Sequence, residues 1–218
     1  MRIILLAVGF ALLANSASAM SYRVAAIDNG QCSDRCPQAV VAEGTIQVDE
    51  VERLAAFFQS AGAIPATLLM HSPGGNLAGA LKLGYGLRRL GVRTIVARVS
   101  RSDPAQVTTG VCASACVYAL MGGADRIVPP GSRVIVHAAQ RYGGFERDIV
   151  GGGYIDAGMD RGTVLELLSR YAVSMGVDPA VMSLAQSVPH ESARVLSAAE
   201  ISRFRLASVS AKRTRKRR

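Results

Sequence analysis

The sequence predicts a single α/β domain with a parallel sheet. Short runs rich in valine, isoleucine and leucine alternate with segments whose apolar residues recur at helical spacing, which is typical of layered α/β folds. The composition agrees, because 50% of the 218 residues are hydrophobic, 5% are aromatic and none is tryptophan. No repeat or linker divides residues 20–211, which we therefore expect to form one domain with a sizeable core.

The first half of the chain alternates strands and helices. Residues 22–27 and 39–42 are β-rich, and Asp49 with Glu52 resembles a capping box that opens a helix. After a strand at 66–70, a second helix closes at Gly91. The apolar stripes of the two helices are Val51, Leu54, Ala55 and Phe58, and then Ala80, Leu83, Leu87 and Leu90.

The second half continues the pattern. Residues 94–99, 124–128 and 133–137 are predicted strands, and a helix follows Ser114. The glycine-rich stretch 138–153 is predicted to be a loop. Two further helices follow, and Ser197 with Glu200 forms a capping box at the start of a last one.

The first 19 residues are typical of a secretory signal peptide. A short basic start precedes the apolar run 3–14, and Ala17-Ser18-Ala19 matches a small-residue cleavage site. A membrane anchor is the alternative, but a spanning helix needs about 20 apolar residues. We therefore expect an exported protein, periplasmic or secreted, that begins at Met20.

The four cysteines form two pairs of equal spacing, Cys32 with Cys36 and Cys112 with Cys116. An oxidising compartment outside the cytoplasm favours disulfides, although four cysteines allow three connectivities. Zinc is the alternative, but this spacing is not that of a zinc ribbon and no histidine lies beside either pair. If Cys112 and Cys116 are bridged, Cys112 is expected to precede the helix.

The chain ends in a basic segment, residues 212–218. This segment supplies six positive charges, whereas the formal net charge of the whole chain is +9. A disordered, solvated tail is one interpretation. Contact with a polyanion such as anionic lipid, cell-wall polymer or nucleic acid is the other.

A possible nucleophile lies where a polar loop gives way to a helix. Small residues flank Ser114 at this point, among the free N–H groups of a helix start. The Gly74-Gly75 turn upstream offers further N–H donors, and His137 at the end of a strand offers a base. The alternatives are that Ser114 is only a helix cap and that the histidines have no catalytic role.

These motifs resemble the proteolytic subunit of Clp protease and, more broadly, the Clp/crotonase superfamily. The likeness extends over residues 39–207 and includes a strand followed by Ser-Pro-Gly-Gly at 72–75, an Ala-Ser turn at 113–114 and a strand ending in His137. It implies a fold of repeated strand-strand-helix turns and an oxyanion hole formed by the N–H groups of Gly75 and Ala115. It also implies a homo-oligomer, and a peptide-binding or subunit-contact role for the glycine-rich loop.

The resemblance leaves the third catalytic residue open. Ala193 stands where the family has its catalytic aspartate, and Glu191 is the nearest carboxylate that can take over. Otherwise the site is a Ser-His dyad or is inactive. A lysine base is disfavoured because the only lysines are Lys82, Lys212 and Lys216.

Two functions of different classes follow. The first is an exported serine hydrolase, a peptidase acting without an ATPase partner because ATP is lacking outside the cytoplasm. The second is a degenerate Clp-like scaffold that binds peptides or assembles as an oligomer, since loss of the triad aspartate costs about 10⁴ in turnover. An acyl-CoA enzyme of the crotonase type ranks third. No cofactor and no metal are expected.

Overall fold

The computed structural model describes residues 18–27, 36–62, 66–103, 106–139 and 161–209. Several sequence predictions lie outside the described residues. These are most of the signal peptide, Cys32, nearly all of the glycine-rich loop and the basic tail.

The described residues form nine strands and six helices. The strands are β1 (Ser21–Ala26), β2 (Gln38–Glu43), β3 (Thr67–His71), β4 (Arg93–Val99), β5 (Val107–Thr109), β6 (Val111–Ala113), β7 (Arg126–Ile127), β8 (Arg133–Val136) and β9 (Arg194–Val195). The helices are α1 (Glu50–Ala61), α2 (Leu77–Arg89), α3 (Ala115–Met121), α4 (Arg161–Ser174), α5 (Ala180–Ser187) and α6 (Ala198–Arg203).

The strands form two sheets of mixed direction. The larger has the order β1-β2-β3-β4-β5, with β7 also paired to β4, and the smaller has the order β6-β8-β9. Pairs β2–β3, β3–β4, β4–β7 and β6–β8 are parallel, and the pairs that involve β1, β5 and β9 are antiparallel. The α/β fold class predicted from the sequence is thus confirmed. The prediction of a parallel sheet is wrong in part, because β1, β5 and β9 pair antiparallel with their neighbours.

The two sheets meet at Ser72, directly after β3. Its N–H donates to the carbonyl of Val111 at 2.8 Å, and its carbonyl accepts from the N–H of Ala113 at 3.0 Å. Because Val111 and Ala113 belong to β6, this junction places the turn after β3 beside the start of α3. The same junction positions the candidate site.

Helix α3 is the centre of the core, since all seven of its residues are buried. It packs against α2, whose Ala80, Leu83 and Leu87 are fully buried as their spacing predicts. Leu90 is an exception, because it lies just past the end of α2 and is 46% exposed. Across the core, the hydroxyl of Tyr171 donates to the carbonyl of Tyr118 at 2.7 Å.

The predicted capping box at the start of α1 is wrong. Asp49 is the N-cap residue, but its side chain makes no capping hydrogen bond. The buried carboxylate of Glu50 instead accepts from the N–H of Gln47 at 2.7 Å and from the hydroxyl of Tyr22 at 2.8 Å. Burial, together with this carboxylate, raises the pKa of Tyr22. The carboxylate that accepts hydrogen bonds at the start of α1 is thus that of Glu50, one bond coming from the nearby Gln47 and one from Tyr22 in the distant strand β1.

The capping box at the start of α6 is confirmed. The side chain of Ser197 accepts from the N–H of Glu200, and the Glu200 carboxylate accepts in return from the N–H of Ser197. The two hydrogen bonds from Ser197 lower the pKa of Glu200. This helix is short and exposed at its start, so the local hydrogen bonds meet no competing tertiary contact.

None of the helices in the described part of the chain is both long and apolar enough to span a membrane.

Candidate active site

Ser114 occupies a strained turn between β6 and α3. Its φ is 53° and its ψ is −124°, and Arg205 is the one other non-glycine residue with positive φ among the described residues. Such a backbone costs about 1–3 kcal/mol and persists where the surroundings impose it, often at functional sites. Here the N–H of Ser114 is held by the carbonyl of Ile135 in β8 at 2.9 Å.

The side chain of Ser114 makes no capping hydrogen bond at the start of α3. No other hydrogen bond of its hydroxyl lies within the described residues. The interpretation of Ser114 as a simple helix cap therefore does not agree with the structure. Its hydroxyl remains available for chemistry.

A disulfide encloses this turn. Cys112 in β6 and Cys116 in α3 are bonded, their Cα atoms are 5.2 Å apart, and both are fully buried. As expected from the sequence, Cys112 precedes the helix. Cys36 is also disulfide-bonded. The bridge between Cys112 and Cys116 links the residues two before and two after Ser114.

The glycine turn after β3 lies against Ser114. The buried hydroxyl of Ser72 accepts from the N–H of Gly74 at 3.1 Å, which fixes the turn. Gly74 has a φ of 109°, and a β-carbon built on it would lie 2.8 Å from Cβ of Ser114. A side chain at this position would therefore collide with the candidate nucleophile.

Two N–H groups are available near Ser114. The structure shows no acceptor for the N–H of Gly75 or of Ala115 anywhere in the part of the chain that it describes. Both residues line the same cavity as Ser114. Unpaired backbone donors beside a nucleophile are the groups that an oxyanion hole requires.

The candidate site is a cavity of about 180 Å³. Ser114 and His137 both line it, but no hydrogen bond joins their side chains in the described structure. In enzymes without substrate this bond is often long and tightens only in the complex. The described residues that line it are Pro73, Gly75, Leu77, Ser114, Ala115, Tyr118, His137, Ala139 and His190.

A larger cavity of about 510 Å³ lies between α1 and α2. Its lining is almost entirely apolar and includes neither Ser114 nor any histidine. We place the candidate site in the smaller cavity because the groups capable of chemistry are there.

The ring of His137 is held by a backbone carbonyl. Its Nδ1 atom lies 2.8 Å from the carbonyl oxygen of Ala138. A carbonyl can only accept, so Nδ1 must carry the proton and Nε2 of the neutral ring has a free lone pair. This is the tautomer that a general base needs, because Nε2 then receives the proton of the nucleophile.

Glu191 is exposed and does not line the cavity. No hydrogen bond or ion pair of its carboxylate is present among the described residues. The ring that packs against His137 is that of His190, with the ring centroids 4.7 Å apart. His190 was not predicted from the sequence, in which the only signal is a histidine three residues before Ala193.

His71 has a structural contact instead of a place in the cavity. Its Nδ1 atom accepts from the N–H of Val111 at 3.0 Å, which ties β3 to β6. Burial lowers the pKa of His71, and the charge of Arg98 lowers it further. The neutral ring is therefore the form that supports the strand leading to Ser114.

In the described ranges, the structure contains no cluster of three or more histidine, cysteine, aspartate or glutamate residues that could hold a metal ion.

The comparisons with known proteins identify the fold. No protein-family model matches the sequence, and no curated protein matches it significantly. A mutant of ClpP1 from Listeria monocytogenes aligns over 80% of this chain and 92% of its own, with a TM-score of 0.51 and 14% identity. The membrane-bound stomatin-specific protease 1510-N, as a mutant in complex with a substrate peptide, aligns over 81% of this chain and 74% of its own, with a TM-score of 0.50 and 15% identity.

At these identities the similarity is one of fold, and the alignments include most of both chains. The chain therefore has the Clp protease-like fold that its three motifs predict.

Proposed function

We propose that the protein is a serine hydrolase that cleaves peptide bonds. The observation that carries this proposal is the strained turn at Ser114. Its hydroxyl lines the same cavity as His137 and the N–H groups of Gly75 and Ala115, and none of the described residues pairs with this hydroxyl or with these two N–H groups. A nucleophile, a base in the correct tautomer and two oxyanion donors are the parts that acyl transfer requires.

The first half of the reaction forms an acyl-enzyme. Nε2 of His137 takes the proton of Ser114 as Oγ attacks the carbonyl carbon of the scissile bond. The oxygen becomes negative and is stabilised by the N–H groups of Gly75 and Ala115. The C–N bond then breaks, and the proton passes from His137 to the leaving amine.

The second half of the reaction hydrolyses the acyl-enzyme and releases the carboxylic acid product. Nε2 of His137 takes a proton from water, whose oxygen attacks the ester, and returns that proton to Oγ of Ser114. Throughout, Nδ1–H of His137 stays on the carbonyl of Ala138, 2.8 Å away. A neutral carbonyl stabilises the imidazolium less than a carboxylate, so we expect turnover below that of a complete triad.

The cavity supports a small apolar side chain beside the scissile bond. Pro73, Leu77 and Tyr118 supply apolar walls in a volume of about 180 Å³. Burial raises the pKa of Tyr118, so its hydroxyl stays protonated and is not a base. We propose peptides or unfolded proteins as substrates, acted on outside the cytoplasm and without an ATPase partner.

A non-catalytic scaffold is the second candidate function. The observation that favours it is the absence, within the described residues, of both a hydrogen bond between Ser114 and His137 and a carboxylate against the ring. In that case the same cavity binds a peptide without cleaving it. Covalent labelling distinguishes the two functions, because only a catalytic site has a reactive nucleophile.

Reaction with a fluorophosphonate probe tests the proposal. The wild type is expected to become labelled, while Ser114→Ala and His137→Ala lose labelling. Ser183→Ala, which removes an exposed serine of α5, serves as the control and should label like the wild type. Equal labelling of wild type and Ser114→Ala, or none in either, would favour the scaffold.

We also propose that the chain assembles as a homo-oligomer, as its fold and motifs suggest. Light scattering of the purified protein should give a multiple of the chain mass, which is 22.9 kDa for the full sequence. A monomer mass across the micromolar range would contradict this proposal.

A further inference from the structure

We infer that His190 is a positioning residue of the candidate site, which acts on the base His137 through the carbonyl of Ala138 that both rings contact. The inference deepens the proposed function and rests on it, because it assigns a role in orienting His137. It concerns a residue that the sequence motifs do not mark.

One oxygen atom orients both rings. Nδ1 of His137 lies 2.8 Å from the carbonyl oxygen of Ala138, and Nδ1 of His190 lies 3.1 Å from the same oxygen. A carbonyl accepts with two lone pairs and cannot donate, so both rings carry the proton on Nδ1. Each neutral ring then has its free lone pair on Nε2.

The turn that contains His190 holds both backbone groups of Ala138. The N–H of Ala138 donates to the carbonyl of Val188 at 2.8 Å, two residues before His190. The side chain of His190 then donates back to the carbonyl of Ala138. Ala138 is thereby held at its N–H and at its carbonyl, which belong to two successive peptide groups.

The two rings also pack against each other. Their centroids are 4.7 Å apart and their planes make an angle of 80°, an edge-to-face arrangement. Because His190 occupies one side of the His137 ring, it limits the rotation of that ring. The ring of His190 therefore restrains the orientation of the base, while the carbonyl of Ala138, which His190 also contacts, sets its tautomer.

The same turn directs Glu191 away from the site. The N–H of Ser192 donates to the carbonyl of Pro189 at 2.9 Å, which closes the turn. His190 is half-buried and lines the cavity, whereas Glu191 is exposed. Geometry thus favours the neutral ring over the neighbouring carboxylate as the partner of His137.

Nitrogen NMR on histidine-labelled protein tests the inference without relying on activity. The chain has only three histidines, so each ring can be assigned. At a pH where the rings are neutral, His137 and His190 should show the Nδ1–H tautomer. His71 should show the opposite Nε2–H tautomer, because its Nδ1 accepts from Val111, and it serves as an internal reference.

Two variants of His190 distinguish the effect of its N–H donor from the effect of its ring packing. His190→Phe keeps the aromatic packing but removes the donor that holds the carbonyl of Ala138. The hydrogen bond from Nδ1–H of His137 to this carbonyl should then weaken, so His137 should lose its Nδ1–H preference and Ser114 should react with the probe at least about tenfold more slowly. His190→Asn keeps a donor near the position of Nδ1 and should restore much of the tautomer and the rate. Ser192→Ala changes an exposed side chain of the same turn and should alter neither.

The inference is overturned if His137 retains the Nδ1–H tautomer in His190→Phe. It is also overturned if Glu191→Gln shifts the tautomer of His137 while His190→Phe does not. A wild type that does not react with the probe would contradict the proposed function, and the tautomer comparison would still decide the role of His190.

Discussion

Gly74 lies so close to Ser114 that a β-carbon on Gly74 would come within 2.8 Å of Cβ of Ser114. The same β-carbon would lie 2.8 Å from the carbonyl oxygen of Ala113, which is backbone and cannot rotate away. The turn after β3 and the turn before α3 are therefore packed as one unit. Any change in one of them must displace the other.

Gly74→Ala tests this packing. The φ of 109° strains the backbone of an L-residue, and the collision adds an overpacking cost of about 1–3 kcal/mol. We expect a lower unfolding temperature and loss of probe labelling. Gly62→Ala is the matched control, because Gly62 also has positive φ but a β-carbon there meets nothing within 4 Å. Equal effects of the two variants would contradict the prediction.

Removing the disulfide around Ser114 should destabilise the protein. Closing so short a loop restricts the unfolded chain by about 2 kcal/mol in the chain-entropy model. We expect Cys112→Ala/Cys116→Ala to unfold at lower urea concentration than the oxidised wild type and to label more slowly, since its nucleophile turn is less restrained.

The disulfide that contains Cys36 requires a control. Wild type and double variant are therefore compared both with and without reductant, so that the effect of this second bridge cancels within each comparison. Under reductant, the difference in unfolding free energy between wild type and double variant reports only the replacement of two buried thiols by methyl groups. If this difference in unfolding free energy is the same without reductant, the bridge between Cys112 and Cys116 does not stabilise the protein.

Stability should fall at acidic pH because of His71. Burial holds its pKa below the ordinary value of about 6.5, so between the two pKa values the unfolded chain binds more protons than the folded one. The stabilising contribution is thus complete above the unfolded pKa and is lost as the pH falls through the folded pKa. Protonation also removes the acceptor of the Val111 N–H.

His71→Asn provides the comparison, because an amide oxygen can accept from Val111 but does not titrate. Urea unfolding at a series of pH values should show a smaller acid-side loss of stability in the variant than in the wild type. The other two histidines are common to both proteins. Parallel curves would assign the acid sensitivity to other groups.

Export predicts a mature amino terminus at Met20. Met20 is fully buried, and its nitrogen donates to the carbonyl of Thr45 at 2.9 Å, a bond that an ammonium group can retain after cleavage. Amino-terminal sequencing of exported protein should read from Met20. Ala19→Phe should block cleavage, because the position before the cut requires a small residue. Exported protein that retains Met1 would contradict the prediction.

Periodicity predicted most of the fold correctly because it reports which side of an element is buried. Leu54 and Phe58 in α1, and Ala80, Leu83 and Leu87 in α2, recur at helical spacing and are buried. The prediction failed at a helix start, where the spacing of Asp49 and Glu52 did not show which carboxylate accepts hydrogen bonds. At the start of α1, Tyr22 and Gln47 hold Glu50, and no capping box forms at Asp49.

The candidate site likewise has parts that the sequence predicts and one contact that it does not. The turn at Ser114, the glycines at 74 and 75 and the strand before His137 depend on short stretches of chain, and the sequence alone was enough to predict them. The partner of His137 was not predictable, because His190 reaches the carbonyl of Ala138 from 52 residues away. Such a contact depends on how α5 and the turn after it pack on the core, and no local pattern encodes that packing.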